Sequence, residues 1–306
     1  MKNTTILITG ATGFLGHHLM NFFRKRGFRV YAFSEHGNAK AGVEKLSFLD
    51  IGSLSSYIQK TKPNIVYHTG AVVDLSRNYE TAIRCIYANI LGTTHLLDAL
   101  SDSGIQRFIY TSTEEIYGSS PIPFREDGAI EPPSPYAVTK LSGEFLSQIY
   151  GRDFGFKVVV FRIGTMYGPE QTTWRFIPSI ISLAINNKEI PLPSGTKKRD
   201  YIFITDVLRA LDTAKDASFQ GRSLTLNLGG GVAVRLIDMV EKIVKICRSS
   251  SRINVGVLSE RASEADEWLM DISRAKAVLQ WKPEIMLENG LKQTIEYYST
   301  SETTKP

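Results

Sequence analysis

Only two cysteines, Cys85 and Cys247, occur in the 306 residues. Neither has a second Cys or a His at metal-ligand spacing, and two thiols make no disulfide framework, so neither stapling nor a metal site is expected. Both read as buried thiols. Long apolar runs are also missing. Ahead of Gly10 the apolar stretch covers only residues 6–8, far short of a signal peptide, and nothing reaches the roughly 20 residues that a membrane helix needs. The expectation is a cytoplasmic protein without a membrane partner. Repeats and low-complexity segments are absent, and only residues 301–306 read as a frayed tail. Basic residues are in excess, with a net charge of +5, yet they gather only at Arg24-Lys25-Arg26 and Lys197-Lys198-Arg199. No aromatic residues interleave with either cluster, so both read as solvated surface and no nucleic-acid partner is expected. With 42% apolar and 22% charged residues, the chain has the material for one large core plus a smaller lobe.

What is present begins with a dinucleotide pattern. Residues 4–9 alternate as a short apolar strand. Gly10-Ala11-Thr12-Gly13-Phe14-Leu15-Gly16 then opens an amphipathic helix whose apolar side carries Leu15, Leu19, Phe22 and Phe23. A second apolar strand, 28–33, follows Gly27 and completes a βαβ unit of the length a dinucleotide site uses. Gly10 permits the tight turn, Gly13 lets the backbone approach a pyrophosphate, and Gly16 lets the helix pack on the strand. The helix N-terminus offers amides and positive dipole to the phosphates.

Further strands at 64–68, 107–112, 157–163 and 224–228, with a helix at 88–101, predict an α/β fold: a Rossmann doubly wound parallel sheet with a smaller C-terminal α+β substrate lobe. The expected division is discontinuous, 1–166 with 201–232 holding NAD(P) and 167–200 with 233–300 forming the lobe. At the end of the second strand, where an acidic residue ordinarily meets the ribose of NAD, stands Ser34, followed by Glu35 and His36. Glu35 suits a ribose, while His36 and Lys40 suit a 2′-phosphate or an ordinary polar loop, so NAD and NADP both stay open with NAD placed first.

Tyr136-Ala137-Val138-Thr139-Lys140 follows Pro132, Pro133 and Pro135, which predicts a helix starting near Ser134 with Tyr136 and Lys140 on one face at i and i+4. A Lys⁺ beside a phenol favours the phenolate, so the tyrosine becomes a general base well below its free value of about 10. Such pairs also occur as inert helix surface. Just ahead lies Thr111-Ser112-Thr113-Glu114-Glu115-Ile116-Tyr117-Gly118, a hydroxyl cluster at the end of a strand, and in doubly wound folds strand ends of this kind face the ligand crevice.

These residues resemble the extended short-chain dehydrogenase/reductase family, in particular its nucleotide-sugar epimerases, dehydratases and reductases. The likeness runs through Val66-Tyr67-His68, Asn89-x-x-Gly92-Thr93, Ser134-Pro135-Tyr136 with Lys140, Tyr167-Gly168-Pro169, Arg199-Asp200-Tyr201 with Asp206, and Asp271-Ile272-Ser273 with Trp281-Lys282-Pro283. It implies a nucleotide-diphosphate sugar as substrate and an enzyme that usually works as a homodimer. It also implies roles. Thr113 holds the reacting sugar oxygen and Tyr136 removes its proton, while Lys140 lowers the tyrosine pKa and holds the nicotinamide ribose. Hydride passes from the sugar to the cofactor, leaving a 4-keto sugar. Ser34, Asp50 and Ile51 join the glycine motif as cofactor contacts. Thr165, Arg175, Arg199 and Arg261 meet the substrate, the last two at its diphosphate.

The same resemblance divides the chemistry. Glu114 and Glu115 stand where 4,6-dehydratases often carry an acid/base pair, although Glu takes the place usual for Asp or Ser, and solvated loop charges explain them as well. The short segment 118–135 is like that of 4-epimerases and 4-ketoreductases. Thr165 replaces a frequent Asn and Arg175 a frequent amide, which loosens any statement about the sugar. A 4-epimerase is placed first, a 4,6-dehydratase or a 4-ketoreductase next. The rival from another class is a non-catalytic dinucleotide sensor or RNA-binding protein on the same fold.

Overall fold

The structure, a computed structural model, describes residues 4–260 and 265–300; Arg261 and the 301–306 tail lie outside them. Strands β1 (Thr5–Thr9), β2 (Arg29–Ser34), β3 (Glu44–Lys45), β4 (Ile65–His68), β5 (Arg107–Thr113) and β6 (Lys157–Ile163) follow one another through the first half of the chain. Strands β7 (Thr165–Tyr167), β8 (Ile190–Leu192), β9 (Lys198–Phe203), β10 (Ser223–Leu228), β11 (Ala233–Arg235) and β12 (Ile253–Val255) follow. Seven of them form one sheet in the order β3-β2-β1-β4-β5-β6-β10, and every neighbouring pair in it is parallel. The order reverses between β1 and β4, so a crevice opens beyond the carboxyl ends of these two strands.

The helices are α1 (Phe14–Lys25), α2 (Ile51–Thr61), α3 (Tyr79–Cys85), α4 (Gly92–Leu100), α5 (Pro135–Asp153), α6 (Phe176–Ile185), α7 (Ile204–Ala214), α8 (Leu236–Cys247), α9 (Ser273–Leu279) and α10 (Leu287–Thr300). They cover the sheet on both faces, which is what its near-continuous apolar strands require. In β1, Ile6 and Ile8 join one core with Leu19, Met20 and Phe23 of α1, whereas Leu7 joins a second core with Leu54 and Ile58 of α2 and Leu96 and Leu97 of α4. Each such side chain contributes about 1.5–3 kcal/mol by leaving water, so this alternation fixes the register of the strand.

Against the expectations, the first two strands shift by one residue and the helix expected at 88–101 begins earlier. Residues Ile86–Leu91 form a wide π-helical turn that leads into α4. The extra residue in that turn swings Asn89 inward, where its amide meets both backbone groups of Val72 and the Thr139 hydroxyl. Cys85 is buried, but Cys247 is only half-buried. The Lys197-Lys198-Arg199 cluster is not solvated surface either. β9 carries Arg199 into a three-stranded sheet between β7 and β11, burying Lys197 and Arg199, with Lys197 3.6 Å from Glu260 and Arg199 stacked on Trp268. Among the described residues no helix is long and apolar enough to cross a membrane, and no group of three or more His, Cys, Asp or Glu gathers as a metal site.

Candidate active site

The glycine turn comes first along the chain. Gly10 has φ +67°, and a Cβ there would stand 2.4 Å from Gly70 Cα, so the turn that crosses from β1 toward α1 admits no larger residue. A Cβ on Gly16 would meet the Gly10 carbonyl at 2.4 Å, which is how closely α1 is pressed on the strand end. Gly13 is the N-cap of α1 and supplies no side-chain acceptor, and its own missing Cβ would touch only the Gly10 carbonyl, at 3.2 Å. The first amides of α1, from Phe14, Leu15 and Gly16, are thus left for an anion, and the open face at Gly13 gives a diphosphate room. These residues fit the dinucleotide that the sequence predicts.

The adenosine end is less regular. Thr12 Oγ1 donates to Ser34 Oγ at 3.0 Å, tying the glycine turn to the end of β2. Asp50 is the N-cap of α2, and its carboxylate accepts from Ser53 N and Ser53 Oγ, which hold it below the ordinary carboxylate range. Its duty here is to cap a helix, while Ile51 beside it is exposed.

Between the two halves of the crevice, His68 at the end of β4 bridges Thr9 Oγ1 at 2.7 Å and Thr93 Oγ1 at 2.9 Å. Burial pushes this imidazole well below its ordinary value, so it is neutral and acts as a strut.

At the end of β5, Thr113 and Tyr136 come together. Ser134 is the N-cap of α5, accepting from Ala137 N–H at 3.2 Å, and its own hydroxyl donates to Glu115 Oε1 at 2.7 Å. One serine therefore ties the start of the helix to the turn behind the strand, and the Thr113 hydroxyl stands beside the Tyr136 phenol and favours its ionised form. Burial first and the Glu115 charge second push this phenol far above its ordinary value; the Thr113 hydroxyl and the Arg175 guanidinium pull it back. The cation expected to do this was Lys140. Its ammonium instead lies 4.1 Å from the centre of the Tyr110 ring, where burial lowers its pKa to about 7.

Glu114 and Glu115 are both buried, which removes the reading of solvated loop charges. Glu114 Oε1 accepts from the Thr165 hydroxyl at 2.6 Å, and its Oε2 has no hydrogen-bond partner among the described residues. Burial, more than any neighbour, drives this carboxyl well above the ordinary range, with Asp200 adding to the rise and Arg199 opposing it. Arg199 sits 4.5 Å from the Trp268 ring centre and Arg175 4.1 Å from that of Trp174. The predicted set therefore falls into two clusters around one crevice, Gly10 to Gly16 with Thr12 and Ser34, and Thr113, Glu114, Glu115, Tyr136 and Lys140 with Thr165, Arg175 and Arg199 near by. Arg261 is outside the described residues.

A sequence model of the NAD dependent epimerase/dehydratase family matches residues 6–229. The chain belongs to this family. It is 29% identical over 321 residues to the UDP-glucuronate 4-epimerase of Thermodesulfobacterium geofontis, covering 95% of each chain. It is 29% identical over 269 residues to the dTDP-D-glucose 4,6-dehydratase of Dictyostelium discoideum, a match that covers 79% of this chain and 62% of that protein. Among solved structures it is similar to the UDP-glucuronic acid 4-epimerase from Bacillus cereus in complex with UDP-glucuronic acid and NAD, with TM-score 0.85 and 27% identity over 96% of this chain and 98% of that one. The family consists of NAD-dependent enzymes, which sets aside a non-catalytic sensor or an RNA-binding protein.

Sequence reasoning missed several residues of this epimerase/dehydratase site. Ser134 entered only as a helix start, although Ser ahead of a Pro at N1 is a capping signal. The buried pair Arg162 and Glu144, 2.9 Å apart between β6 and α5, gave no signal because nothing local links residues 18 apart. Arg162 also donates to Tyr117 Oη, which in turn donates to Asn227, so the network braces α5, the turn after β5, β6 and β10 together. Asp200 is buried against the amides of Gly230, Gly231 and Met270, and burial raises it to about 6 in spite of them.

Proposed function

We propose that this protein is an NAD-dependent nucleotide-sugar 4-epimerase. The observation that carries the reading is the meeting of the Thr113 hydroxyl and the Tyr136 phenol at the carboxyl end of β5, on the strand-end side that also carries the glycine cradle. The Thr113 hydroxyl positions the C4 oxygen of a bound hexose, and Tyr136, acting as its phenolate, takes the C4 hydroxyl proton and later returns it. NAD, when bound, supplies the acceptor and then the donor of the C4 hydride. Lys140 serves the ribose side of the same site, Arg199 and Arg261 serve the substrate diphosphate through charge-assisted bonds, and Arg175 adds charge near the nucleotide. Residues 1–166 with 201–232 form the cofactor domain and 167–200 with 233–300 the substrate lobe; the place of β10 in the large sheet supports this division.

A second copy of the chain completes the assembly in this reading. Ile86, Tyr87 and Leu91 on the π-helical turn and Val138, Phe145 and Ile149 on α5 are all exposed, and the two elements pack side by side. An apolar face this broad on adjacent helices suits an isologous dimer.

One observation favours a second reading, the 4,6-dehydratase. Glu114 is a buried carboxyl whose burial favours the protonated form, with one oxygen unpartnered among the described residues, as suits a general acid that protonates a leaving hydroxyl. Product mass decides between the two. Incubation with UDP-, dTDP-, GDP- and CDP-hexoses and NAD, followed by chromatography and mass spectrometry, gives an isomer of unchanged mass for the epimerase and a product lighter by one water for the dehydratase. No conversion of any of them overturns both.

A further inference from the structure

We infer that His17 and His18 on α1 are positioning residues of the reaction, fastening the segment 168–175 to the helix that faces the dinucleotide and so fixing where the Arg175 charge stands in the substrate crevice. The inference rests on the reading of the protein as a nucleotide-sugar enzyme. The segment continues β7, whose first residue, Thr165, donates to Glu114, and it ends at Arg175, the N-cap of α6. The Arg175 guanidinium is close enough to the Tyr136 phenol to favour its ionised form, so the segment leaves the reaction centre at one end and returns to it at the other. Thr172, Thr173 and Trp174 at its tip are exposed, and burial therefore does not hold the tip in place.

What holds the segment is a stripe on α1. Phe14, His17, His18 and Asn21 stand at i, i+3, i+4 and i+7 and share one face, beside the face by which Leu15, Leu19 and Phe23 enter the core. His18 Nε2 donates to the Pro169 carbonyl at 2.9 Å, and the Phe14 ring packs edge-on against the His18 ring with centres 5.2 Å apart. A Cβ on Gly168 would stand 2.6 Å from the Ile204 side chain and 3.6 Å from the Phe14 ring, so this glycine lets the segment lie between α7 and α1. His17 Nε2 lies 3.0 Å from Glu170 Oε2 and 3.0 Å from the Asn21 amide. Glu170 has φ +66°, a conformation that a non-glycine residue keeps only where its surroundings over-determine it. The next residue is tied as well: Gln171 Nε2 donates to the Met166 carbonyl at 3.0 Å, and the Tyr298 hydroxyl donates to the Gln171 carbonyl. The first turns of α1 thus offer amides to the dinucleotide and side chains to the segment that carries Arg175.

The test is steady-state kinetics of the full chain with NAD⁺ and the UDP-, dTDP-, GDP- and CDP-hexoses, for the wild type, His18→Ala, His18→Gln, Arg175→Gln and the double variant His18→Ala with Arg175→Gln, with NAD⁺ affinity measured by calorimetry. For the hexose that the wild type converts, His18→Ala is expected to raise KM about tenfold while kcat changes by less than about threefold and NAD⁺ affinity stays within about twofold. His18→Gln keeps a nitrogen donor for the Pro169 carbonyl and restores most of the wild-type KM. Because His18 acts through Arg175, the double variant is expected to have the KM of Arg175→Gln alone. A His18→Ala protein with the wild-type KM, or a double variant whose KM rises by the full product of the two single effects, overturns the assignment. Where His18→Ala does not fold, Glu170→Ala, at the exposed end of the neighbouring contact, takes its place in the cycle and the same two results decide. A wild type that converts none of the hexoses overturns the broader reading instead.

Discussion

A phenol four residues from an ammonium would ordinarily be expected to ionise easily, yet both side chains here are buried and each resists its charged form. Tyr136 is raised by burial and by Glu115, and Lys140 is lowered to about 7 by burial. Replacing Tyr136 by Phe removes only the proton-transferring oxygen. Turnover of the nucleotide sugar is expected to fall by about 10²- to 10⁴-fold, while NAD binding measured by calorimetry stays near wild type. Lys140 carries a pH prediction whose sign follows from its direction. Its folded value, about 7, lies below the ordinary 10.5, so between these two pH values the unfolded chain binds the extra proton and stability rises with pH. Urea unfolding of wild type and Lys140→Met at pH 7 and pH 9 checks this. The wild type should gain on the variant as pH rises, and a difference independent of pH contradicts it.

At the scale of elements, the glycine turn is a backbone device before it is a binding site. Gly10→Ala forces a Cβ into the left-handed region and to 2.4 Å from Gly70 Cα. Strain at such a position costs of order 1–3 kcal/mol before the clash is counted, so denaturant unfolding should show a loss at least that large. This unit was legible in the sequence because strand, glycine turn and helix are contiguous and each has a local period or turn requirement. The Ser34 position was legible for the same reason. The π-helical turn at Ile86–Leu91 was not: its wide hydrogen bonding answers to Asn89 reaching Val72 and Thr139, partners far from the turn itself. Burial of Lys197 and Arg199 was equally hidden, since a run of three basic residues reads as surface until β9 is known to lie inside a sheet.

For the molecule as a whole, a parallel doubly wound sheet could be anticipated from alternation of strands and helices, but which charged groups end up buried together could not. Glu114 beside Thr165, and Arg162 beside Glu144, are joined only when the end of β5, β6, β7 and α5 converge. Assembly follows from the face left over by that convergence. Exchanging Phe145 and Ile149 together for Asp places two charges at the centre of the exposed apolar face, and light scattering should then report a monomer where the wild type is a dimer; a wild-type monomer removes the proposal. The central claim, that Tyr136 moves a proton while the C4 hydrogen leaves and returns as hydride, is tested most directly by isotope tracing with a C4-deuterated nucleotide hexose in ordinary water. The account predicts an epimer that keeps the deuterium at C4. An epimer carrying solvent hydrogen at C4 would contradict it.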